Sequence, residues 1–472
     1  MKLRSVGRAY LILLIATVAC KGLSVVSAAV VGRSLGTAGL GLFGVVVTLL
    51  AFGLVIVNWG LDSVGTREVA KNPDTRSSMQ LRVTTFRTWL AVSMTFVILV
   101  ACIVSHSGLG IAIPLSIIPI LFVRRLDWLL IGLGDERSVA IAAIARELVY
   151  LALVFTVVLQ FKSVTAAVWS MLAAEVAPLI ITAMAARRHA LKASQDGPRN
   201  SQPLARAGLP LVVMGIMYLT YTKIDTLMIA RLINAQAAGI YYASYSVLFG
   251  ALSIAAPLSR AALPEMSRLG GRGATVTPGM FRLSLIAAGA GALIGVGLVV
   301  LARPVLGLLY GDRFLVGATT LQFLSISILF TFASGVMAQG LVATGRQVSL
   351  AKWSGIAAGT NVAVNLWLIP RMGILGAAIA TALTEALILT LTLVSFRHSR
   401  GIGAHAFRLV AVLLSFGVSC GVGLGVGRIS PWVGAGAGSL VFLAGYAAVA
   451  GGVLRGSRGA WGAGRSAQGV LP

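Results

Sequence analysis

The stretch YLTYTKIDTLMIARLINAQAAGIY, from Tyr218 to Tyr241, decides how the rest of the chain is interpreted. It is apolar enough to lie in a bilayer, yet Lys223 and Asp225 fall near the middle of the helix that it predicts. A charge at that depth costs about 2.5 to 3.5 kcal/mol on insertion scales. Residues two apart on a helix point to nearly opposite sides, so each charge needs a partner of its own. We therefore expect both side chains to face protein or water rather than lipid.

One face of this helix is polar. The residues Tyr218, Tyr221, Thr222 and Asp225 follow the three- and four-residue spacing of a single helix face. Two interpretations stay open, because charges inside membranes serve both purposes. The face is either the wall of a polar cavity or part of a buried ion pair that ties this helix to a neighbour.

Composition places the whole chain in a membrane. Of its 472 residues, 58% are hydrophobic and 11% are charged, against about 25% charged residues in soluble domains. Apolar windows of about 20 residues recur along the chain, and runs of this length predict helices. The expected fold is an all-α polytopic membrane protein with about 14 transmembrane helices. The predicted spans are 10–32, 39–63, 85–105, 110–132, 139–161, 164–186, 208–233, 237–262, 281–303, 316–342, 349–370, 373–396, 406–427 and 432–454.

The net charge of +25 is distributed by membrane side, which argues against a nucleic-acid partner. Basic residues crowd the loops on the side of the N-terminus, as at Arg67, Lys71 and Arg187, whereas the opposite loops hold few, such as Lys162 and Arg371. Loops rich in Lys and Arg stay in the cytoplasm. We therefore predict a multi-pass protein of the cytoplasmic membrane with both termini cytoplasmic.

The sequence offers no catalytic or metal-binding pattern. The three cysteines lie far apart without CxxC spacing, and the four histidines fall at segment ends or in loops. The loops on the outer side are too short for the catalytic loops of a polysaccharide polymerase or ligase. We predict no metal, no cofactor and no enzymatic activity.

Two segment pairs predict an internal repeat. GRSLGTAGLGLF (Gly32–Phe43) aligns without gaps on ARLINAQAAGIY (Ala230–Tyr241), and AAVWSMLAAE, ending at Glu175, aligns on GAAIATALTE, ending at Glu385. Because six helices separate the copies, both halves should have the same orientation in the membrane. The predicted organisation is an N-terminal six-helix lobe (1–190), a polar cytoplasmic linker (191–207), a C-terminal six-helix lobe (208–398), two further transmembrane helices (399–454) and a cytoplasmic tail (455–472).

The predicted spans carry ionisable residues that are mostly basic. A cavity lined by such residues would attract an anionic head group, because low-dielectric walls focus the field. The candidates are Lys21, Arg124, Arg125, Arg146 and Lys223. The alternative is structural pairing, for which Arg124 with Asp127 and Glu147 with a basic neighbour are candidates, and we expect about half of the basic residues to pair in this way.

Polar residues also mark the eleventh and twelfth predicted spans. Asn361 and Asn365, with Ser354, form a polar stripe for which helix packing is the favoured explanation over a cavity wall. Glu385, with Thr381 one turn earlier, is either a packing residue or a proton or cation site. Together with Asp225 it is a candidate carboxylate for ion coupling.

Several of these stretches together resemble a known family. KIDTLMIARLINAQAAGIYYASYSVL, NVAVNLWLIPRMGILGAAIATALTE and, near the start, RSLGTAGLGLFG are similar to the oligosaccharide flippases. These form the polysaccharide-transport branch of the MOP superfamily, which also contains the MATE drug exporters and the lipid II flippases. The resemblance covers nearly the whole chain in order.

The resemblance implies two six-helix lobes arranged in a V, alternating access and a lipid-linked glycan as substrate. The expected function is translocation of an isoprenoid diphosphate-linked oligosaccharide for surface polysaccharide assembly. The expected partners are this substrate, membrane lipids and a glycan polymerase or other assembly protein. The alternatives are a cation-coupled exporter of amphiphilic drugs, whose cavity should be acidic, and a lipid II flippase.

Overall fold

The computed structural model describes residues 3–104, 108–189, 203–253, 277–399 and 401–455. Within these residues the regular elements are helices and no strand is present, which confirms the all-α class. Positions 191–202 of the predicted linker and 456–472 of the predicted tail lie outside the described residues.

Apolar runs form helices throughout the described chain, because a helix satisfies its own backbone hydrogen bonds where water is absent. The helices before residue 254 are α1 (Leu3–Asn58), α2 (Leu61–Lys71), α3 (Arg76–Val104), α4 (Gly108–Val123), α5 (Asp127–Gly132), α6 (Glu136–Leu153), α7 (Leu159–Phe161), α8 (Val164–Ala174), α9 (Val176–Arg188), α10 (Leu204–Leu232) and α11 (Ala235–Leu252). The helices after residue 276 are α12 (Thr277–Val300), α13 (Ala302–Tyr310), α14 (Ala318–Ala343), α15 (Gln347–Met372), α16 (Ile374–Ser395), α17 (Ile402–Gly427) and α18 (Pro431–Arg455).

The described residues contain 11 helical stretches that are long and apolar enough to cross a membrane. The first of them, Ile12–Lys71, has 60 residues, which is about 90 Å of helix and about three times the hydrocarbon thickness. Gly36 divides it, because its φ of 71° and ψ of −174° are not helical. A glycine adopts this conformation without the strain that a Cβ would bring. The chain is thus a multi-pass membrane protein, and the count of about fourteen spans stays a prediction.

Several of the predicted spans are interrupted, and two of these breaks lie at charged residues. In the span predicted for 110–132, α4 ends at Val123 and α5 begins at Asp127. In the span predicted for 164–186, Glu175 lies in a turn between α8 and α9. Hydropathy alone does not detect these breaks, because a hydropathy window averages a few charged residues with the many apolar residues around them. The suggested pairing of Arg124 with Asp127 on one helix face is wrong, since the helix ends between them.

The described chain divides into two compact units. The first comprises the described parts of Met1–Ser246, Leu309–Val316 and Val362–Ala377, and the second comprises those of Val247–Leu308, Gly317–Asn361 and Ala378–Pro472. The predicted division into lobes at 1–190 and 208–398 stays a prediction.

In the first unit, α1 is the central element and packs against α6 and α10. Near the end of α1, Trp59 donates from its indole nitrogen to the backbone oxygen of Ala205, 2.9 Å away. Gly208 of α10 allows this approach, because a Cβ there would lie 2.1 Å from the Trp59 carbonyl oxygen. The start of α10 is thereby attached to the corner between α1 and α2.

The aligned hairpins of the predicted repeat contact each other within the first unit. A Cβ on Gly41 would lie 1.8 Å from the carbonyl oxygen of Ala235, and a Cβ on Gly239 would lie 1.8 Å from that of Thr37. Thr37 and Ala235 are themselves aligned positions, as are Gly41 and Gly239. The contact is therefore reciprocal, and it supports the repeat, which stays a prediction.

In the second unit, α12 packs against α14 and α17, and α17 packs against α18. The hydroxyl of Ser284 donates to the backbone oxygen of Ala333, 3.0 Å away. Small residues bring α17 and α18 together, since a Cβ on Gly434 would lie 2.4 Å from the carbonyl oxygen of Gly423. Close approach through glycine is typical of membrane helices, which lack a hydrophobic driving force for association.

Candidate functional site

The break at Glu175 places a carboxylate between two predicted arginines. Arg146 Nε of α6 donates to Glu175 Oε1, and Arg125 Nη1 lies 3.3 Å from Glu175 Oε2. The side chain of Glu175 is 6% exposed, whereas those of Arg125 and Arg146 are 19% and 28% exposed, so the carboxylate is buried and the arginines are partly accessible. Arg125 and Arg146, both candidates for substrate binding, thus pair with a carboxylate of the protein.

Two more carboxylates extend this charged cluster. Arg125 Nη2 lies 2.8 Å from Asp127 Oδ2, and Arg146 Nη1 donates to Glu147 Oε1. The expected pairing of Glu147 with a basic neighbour is therefore confirmed. We call the residues Arg125, Asp127, Arg146, Glu147 and Glu175 the Glu175 cluster.

Two predicted lysines lie beside the Glu175 cluster. Lys21 of α1 is within electrostatic range of Glu147 and Arg146. Lys223 of α10 is within range of Lys21 and of Asp225. The Lys223 ammonium also lies 4.8 Å from the centre of the Tyr245 ring, a cation–π distance. Four of the five predicted basic residues therefore share one polar region of the first unit.

Arg124 is the predicted basic residue that the structure separates from this region. It lies in the turn after α4, and its side chain is exposed. Arg125, the next residue, turns instead toward Asp127 and Glu175. Adjacent residues outside a helix can point in opposite directions. The sequence alone therefore could not show that Arg125 is paired and Arg124 is exposed.

Asp225 has partners of its own, as the charge at this depth requires. Its Oδ2 accepts a hydrogen bond from the Tyr241 hydroxyl at 2.6 Å, and its Oδ1 accepts one from Asn365 Nδ2 at 2.7 Å. Asp225 and Tyr241 are each 1% exposed, and Asn365 is fully buried. Hydrogen bonds to a charged acceptor are stronger than neutral ones, so this buried group fastens α10 to α11 and α15.

The remaining members of the predicted polar face are less buried. Tyr218 is 48% exposed, and its ring contacts that of Tyr221 edge to face, with centres 5.4 Å apart. The Thr222 hydroxyl donates to the backbone oxygen of Tyr218 at 2.7 Å, which satisfies it within its own helix. Of this face, Asp225 alone is fully buried, so whether the others line a cavity stays a prediction.

The other predicted polar residues lie in the second unit. Asn361 is fully buried and donates from Nδ2 to the Thr384 hydroxyl at 3.2 Å, a contact that fits the packing interpretation. Glu385 is 9% exposed and interacts with the hydroxyl of Thr331. Its aligned counterpart Glu175 holds two arginines, so the same residue type has different surroundings in the two copies.

Sequence reasoning missed a buried arginine in α3. Arg87 is 1% exposed, its Nη2 lies 2.8 Å from Asp62 Oδ1, and it also donates to Asn58 Oδ1. The same carboxylate accepts from Asn58 Nδ2 at 2.9 Å. Arg87 falls inside the span predicted for 85–105. A charged residue within an apolar window was therefore the sequence feature that could have indicated a buried ion pair.

The polar region contains the basic side chains of an anion-binding site, and carboxylates of the protein itself neutralise their charges. Lys21, Arg125 and Arg146 face three carboxylates, those of Asp127, Glu147 and Glu175. An anion that entered here would compete with these carboxylates for the same hydrogen-bond donors. Among the described residues, no group of three or more His, Cys, Asp or Glu side chains could hold a metal ion.

The sequence matches the model of a protein family described as polysaccharide biosynthesis protein, over residues 6–270. The chain belongs to this family. The resemblance to the polysaccharide-transport branch of the MOP superfamily is thereby confirmed. No curated protein matches the sequence.

Solved structures of the MOP superfamily share the fold of this family member. The lipid II flippase MurJ, in an inward closed conformation, aligns with a TM-score of 0.65 at 11% identity, over 94% of this chain and 99% of MurJ. An inward-facing multidrug resistance MATE family transporter aligns with a TM-score of 0.58 at 14% identity, over 84% of this chain and 95% of the transporter. A MOP superfamily transporter from Pyrococcus furiosus aligns with a TM-score of 0.58 at 14% identity, over 84% of this chain and 96% of that one.

Proposed function

We propose that this family member is a flippase for an isoprenoid diphosphate-linked oligosaccharide used in surface polysaccharide assembly. The diphosphate and the sugars cannot cross hydrocarbon unaided, so the protein supplies a polar path while the lipid tail stays in the bilayer. Two six-helix lobes, 1–190 and 208–398, rock to expose this path to each side in turn. The protein lies in the cytoplasmic membrane with both termini cytoplasmic, and it works with a glycan polymerase or another assembly protein.

One observation carries this proposal: basic side chains converge on Glu175 within the first unit. Arg125 and Arg146 both contact this carboxylate. Phosphate oxygens accept from guanidinium groups in the same paired geometry as carboxylate oxygens do. A diphosphate would therefore replace Glu175 as their acceptor. Lys21 and Lys223, which lie within range of each other, supply two further positive charges.

Asp225 and Glu385 are the proposed carboxylates for ion coupling. Asp225 accepts from two neutral donors, Tyr241 and Asn365, and is 1% exposed. Glu385 is likewise buried. A buried carboxylate that gains or loses a proton or a cation changes the local charge by one unit, which can bias a conformational equilibrium.

The test is translocation in liposomes. The purified protein is reconstituted with a lipid diphosphate-linked oligosaccharide whose sugar is accessible to a probe on one side. We expect faster loss of protection than in protein-free liposomes, and at least about a tenfold slower rate when Lys21→Gln and Lys223→Gln are combined, because each removed charge weakens anion binding. Arg303→Gln is the matched control, since Arg303 is exposed on α13 and is not a member of the Glu175 cluster.

The same liposomes distinguish the alternatives. Gradient-driven efflux of a cationic dye, with no acceleration of the lipid-linked oligosaccharide, would support an exporter like the MATE relatives and would contradict the flippase. Acceleration of lipid II with no effect on other lipid-linked oligosaccharides would restrict the function to that of MurJ. Full-rate flipping by the double lysine variant would contradict the proposed role of Lys21 and Lys223.

A further inference from the structure

An open groove lies on the second unit, between the start of α17 and the end of α18. It has a volume of about 560 Å³ and is lined by Gly403, Ala404, Phe407, Arg408, Ala411, Ala448 and Val449. Most of these residues are small, which is what leaves the space. A Cβ on Gly403 would meet no atom within 4 Å, so the groove is open at this residue.

The packing of α17 fixes which of its faces borders this groove. His405 is 2% exposed and stacks on the ring of Phe281, with ring centres 4.6 Å apart. Leu409 and Val412 are also buried on that side. The groove residues of α17 lie on a different face of the helix. Phe407, one of them, is 74% exposed. The groove thus lies on a face of α17 other than the one that packs against Phe281.

Arg408 is the charged residue of this groove. Within the described part of the chain it makes no hydrogen bond and no ion pair, and the acidic residue described in the second unit is Glu385, which is buried on α16. Arg408 lies six residues into α17, about 9 Å along the helix. At this depth an arginine extends its guanidinium to the level of the lipid phosphates. The described residues therefore supply no countercharge at a site where lipid phosphates can supply one.

We propose that this groove binds one anionic phospholipid, with its phosphate on the guanidinium of Arg408 and the upper part of its acyl chains between Phe407 and Ala448. The guanidinium donates paired hydrogen bonds to phosphate oxygens. A zwitterionic lipid carries a positive group beside its phosphate, which would face the same arginine and weaken binding. The exposed Arg397 precedes α17 and adds to the positive potential at this end. This site is independent of the proposed flippase activity.

The test is native mass spectrometry of the full-length protein in detergent, titrated with phosphatidylglycerol or phosphatidylcholine. We expect a one-to-one phosphatidylglycerol adduct and at least about fivefold less adduct with phosphatidylcholine, the size expected for one arginine near a lipid surface. Arg408→Gln should reduce the phosphatidylglycerol adduct by about the same factor. Arg428→Gln, at the other end of the same helix, is the matched control and should leave it unchanged.

A second variant tests the groove itself. Gly403→Leu places a bulky side chain in the groove, at a position where the added Cβ meets no atom within 4 Å. It should remove the adduct while the melting temperature in detergent stays the same. Equal adducts with the two lipids would overturn the proposal. So would equal effects of Arg408→Gln and Arg428→Gln. Because the readout is lipid binding, a failure here leaves the translocation experiment unaffected, and the reverse also holds.

Discussion

Gly41 of α1 and Gly239 of α11 lie at the centre of a contact in which each approaches a backbone carbonyl of the other helix. The acceptor carbonyls belong to Ala235 and Thr37, and the intruding Cβ would lie 1.8 Å from the oxygen in both cases. Backbone atoms move less readily than side-chain ends. The contact is therefore intolerant of any side chain at either glycine.

We predict that Gly41→Ala or Gly239→Ala destabilises the protein by about 1 to 3 kcal/mol, the cost of inserting a methyl group into a packed region. The measurement is the melting temperature in detergent. Gly22→Ala is the control within α1, because a Cβ at Gly22 meets no atom within 4 Å. An unchanged melting temperature in both glycine variants would show that the two hairpins do not pack in this way.

The aligned carboxylates Glu175 and Glu385 should respond differently to loss of charge. Glu175→Gln removes the carboxylate that Arg125 and Arg146 share, while Asp127 and Glu147 remain as their partners. We therefore expect a loss of about 1.5 to 3 kcal/mol, the contribution of a hydrogen bond to a charged group. Glu385→Gln retains a hydrogen-bonding group beside Thr331 and should change stability by less than about 1 kcal/mol. Melting temperatures of both variants test this contrast. Equal losses would contradict the different surroundings described for the two residues.

The hydrogen bond between Tyr241 and Asp225 should contribute to the attachment of α11 to α10. Hydrogen bonds to charged groups contribute about 1.5 to 3 kcal/mol. A double-mutant cycle with Tyr241→Phe and Asp225→Asn, in a reversible unfolding assay, should give a coupling energy within this range. Tyr245→Phe is the control, because its ring stacks on Tyr241 and the substitution removes a hydroxyl close to the site while preserving this stacking. Additive effects of Tyr241→Phe and Asp225→Asn would contradict the contribution.

Asp135, between α5 and α6, should make stability depend on acid pH. Burial raises the pKa of its carboxyl, but hydrogen bonds from Ser138 and His189 outweigh burial and leave the pKa below its usual value. A depressed pKa in the folded state stabilises the fold above the unfolded-state pKa of about 3.9. This stabilisation is lost as the pH falls through the lower folded-state value.

Melting temperatures of wild type and Asp135→Asn between pH 3 and pH 8 test this dependence. Asn keeps the N-terminal cap of α6, so the difference isolates the charge. We expect the variant to melt lower than wild type at pH 6 to 8, and the difference to shrink below about pH 4. A difference that is the same at every pH would contradict the assignment.

The sequence predicted the helices well and their charged contacts only in part. Apolar windows are local features of the sequence, so the spans could be predicted from it. The need of Asp225 for a partner could also be predicted, because its charge lies within such a window. The identity of that partner was not visible, since Asn365 lies 140 positions along the chain. Glu175 was recognised as a repeat marker, but its contact with Arg125 and Arg146 depends on how α6, α8 and α9 pack. Such packing leaves no local pattern.

The ion pairs of Glu175 also bear on how the protein is made. A lone arginine costs about 2.5 to 3.5 kcal/mol when a helix enters the membrane. Arg125 and Arg146 emerge from the ribosome beside Asp127 and Glu147, but before Glu175, the carboxylate that they share. The segments from α5 to α9 are therefore expected to remain beside the insertion machinery and to move into lipid together. Biogenesis of this region would then proceed by groups of helices rather than one helix at a time.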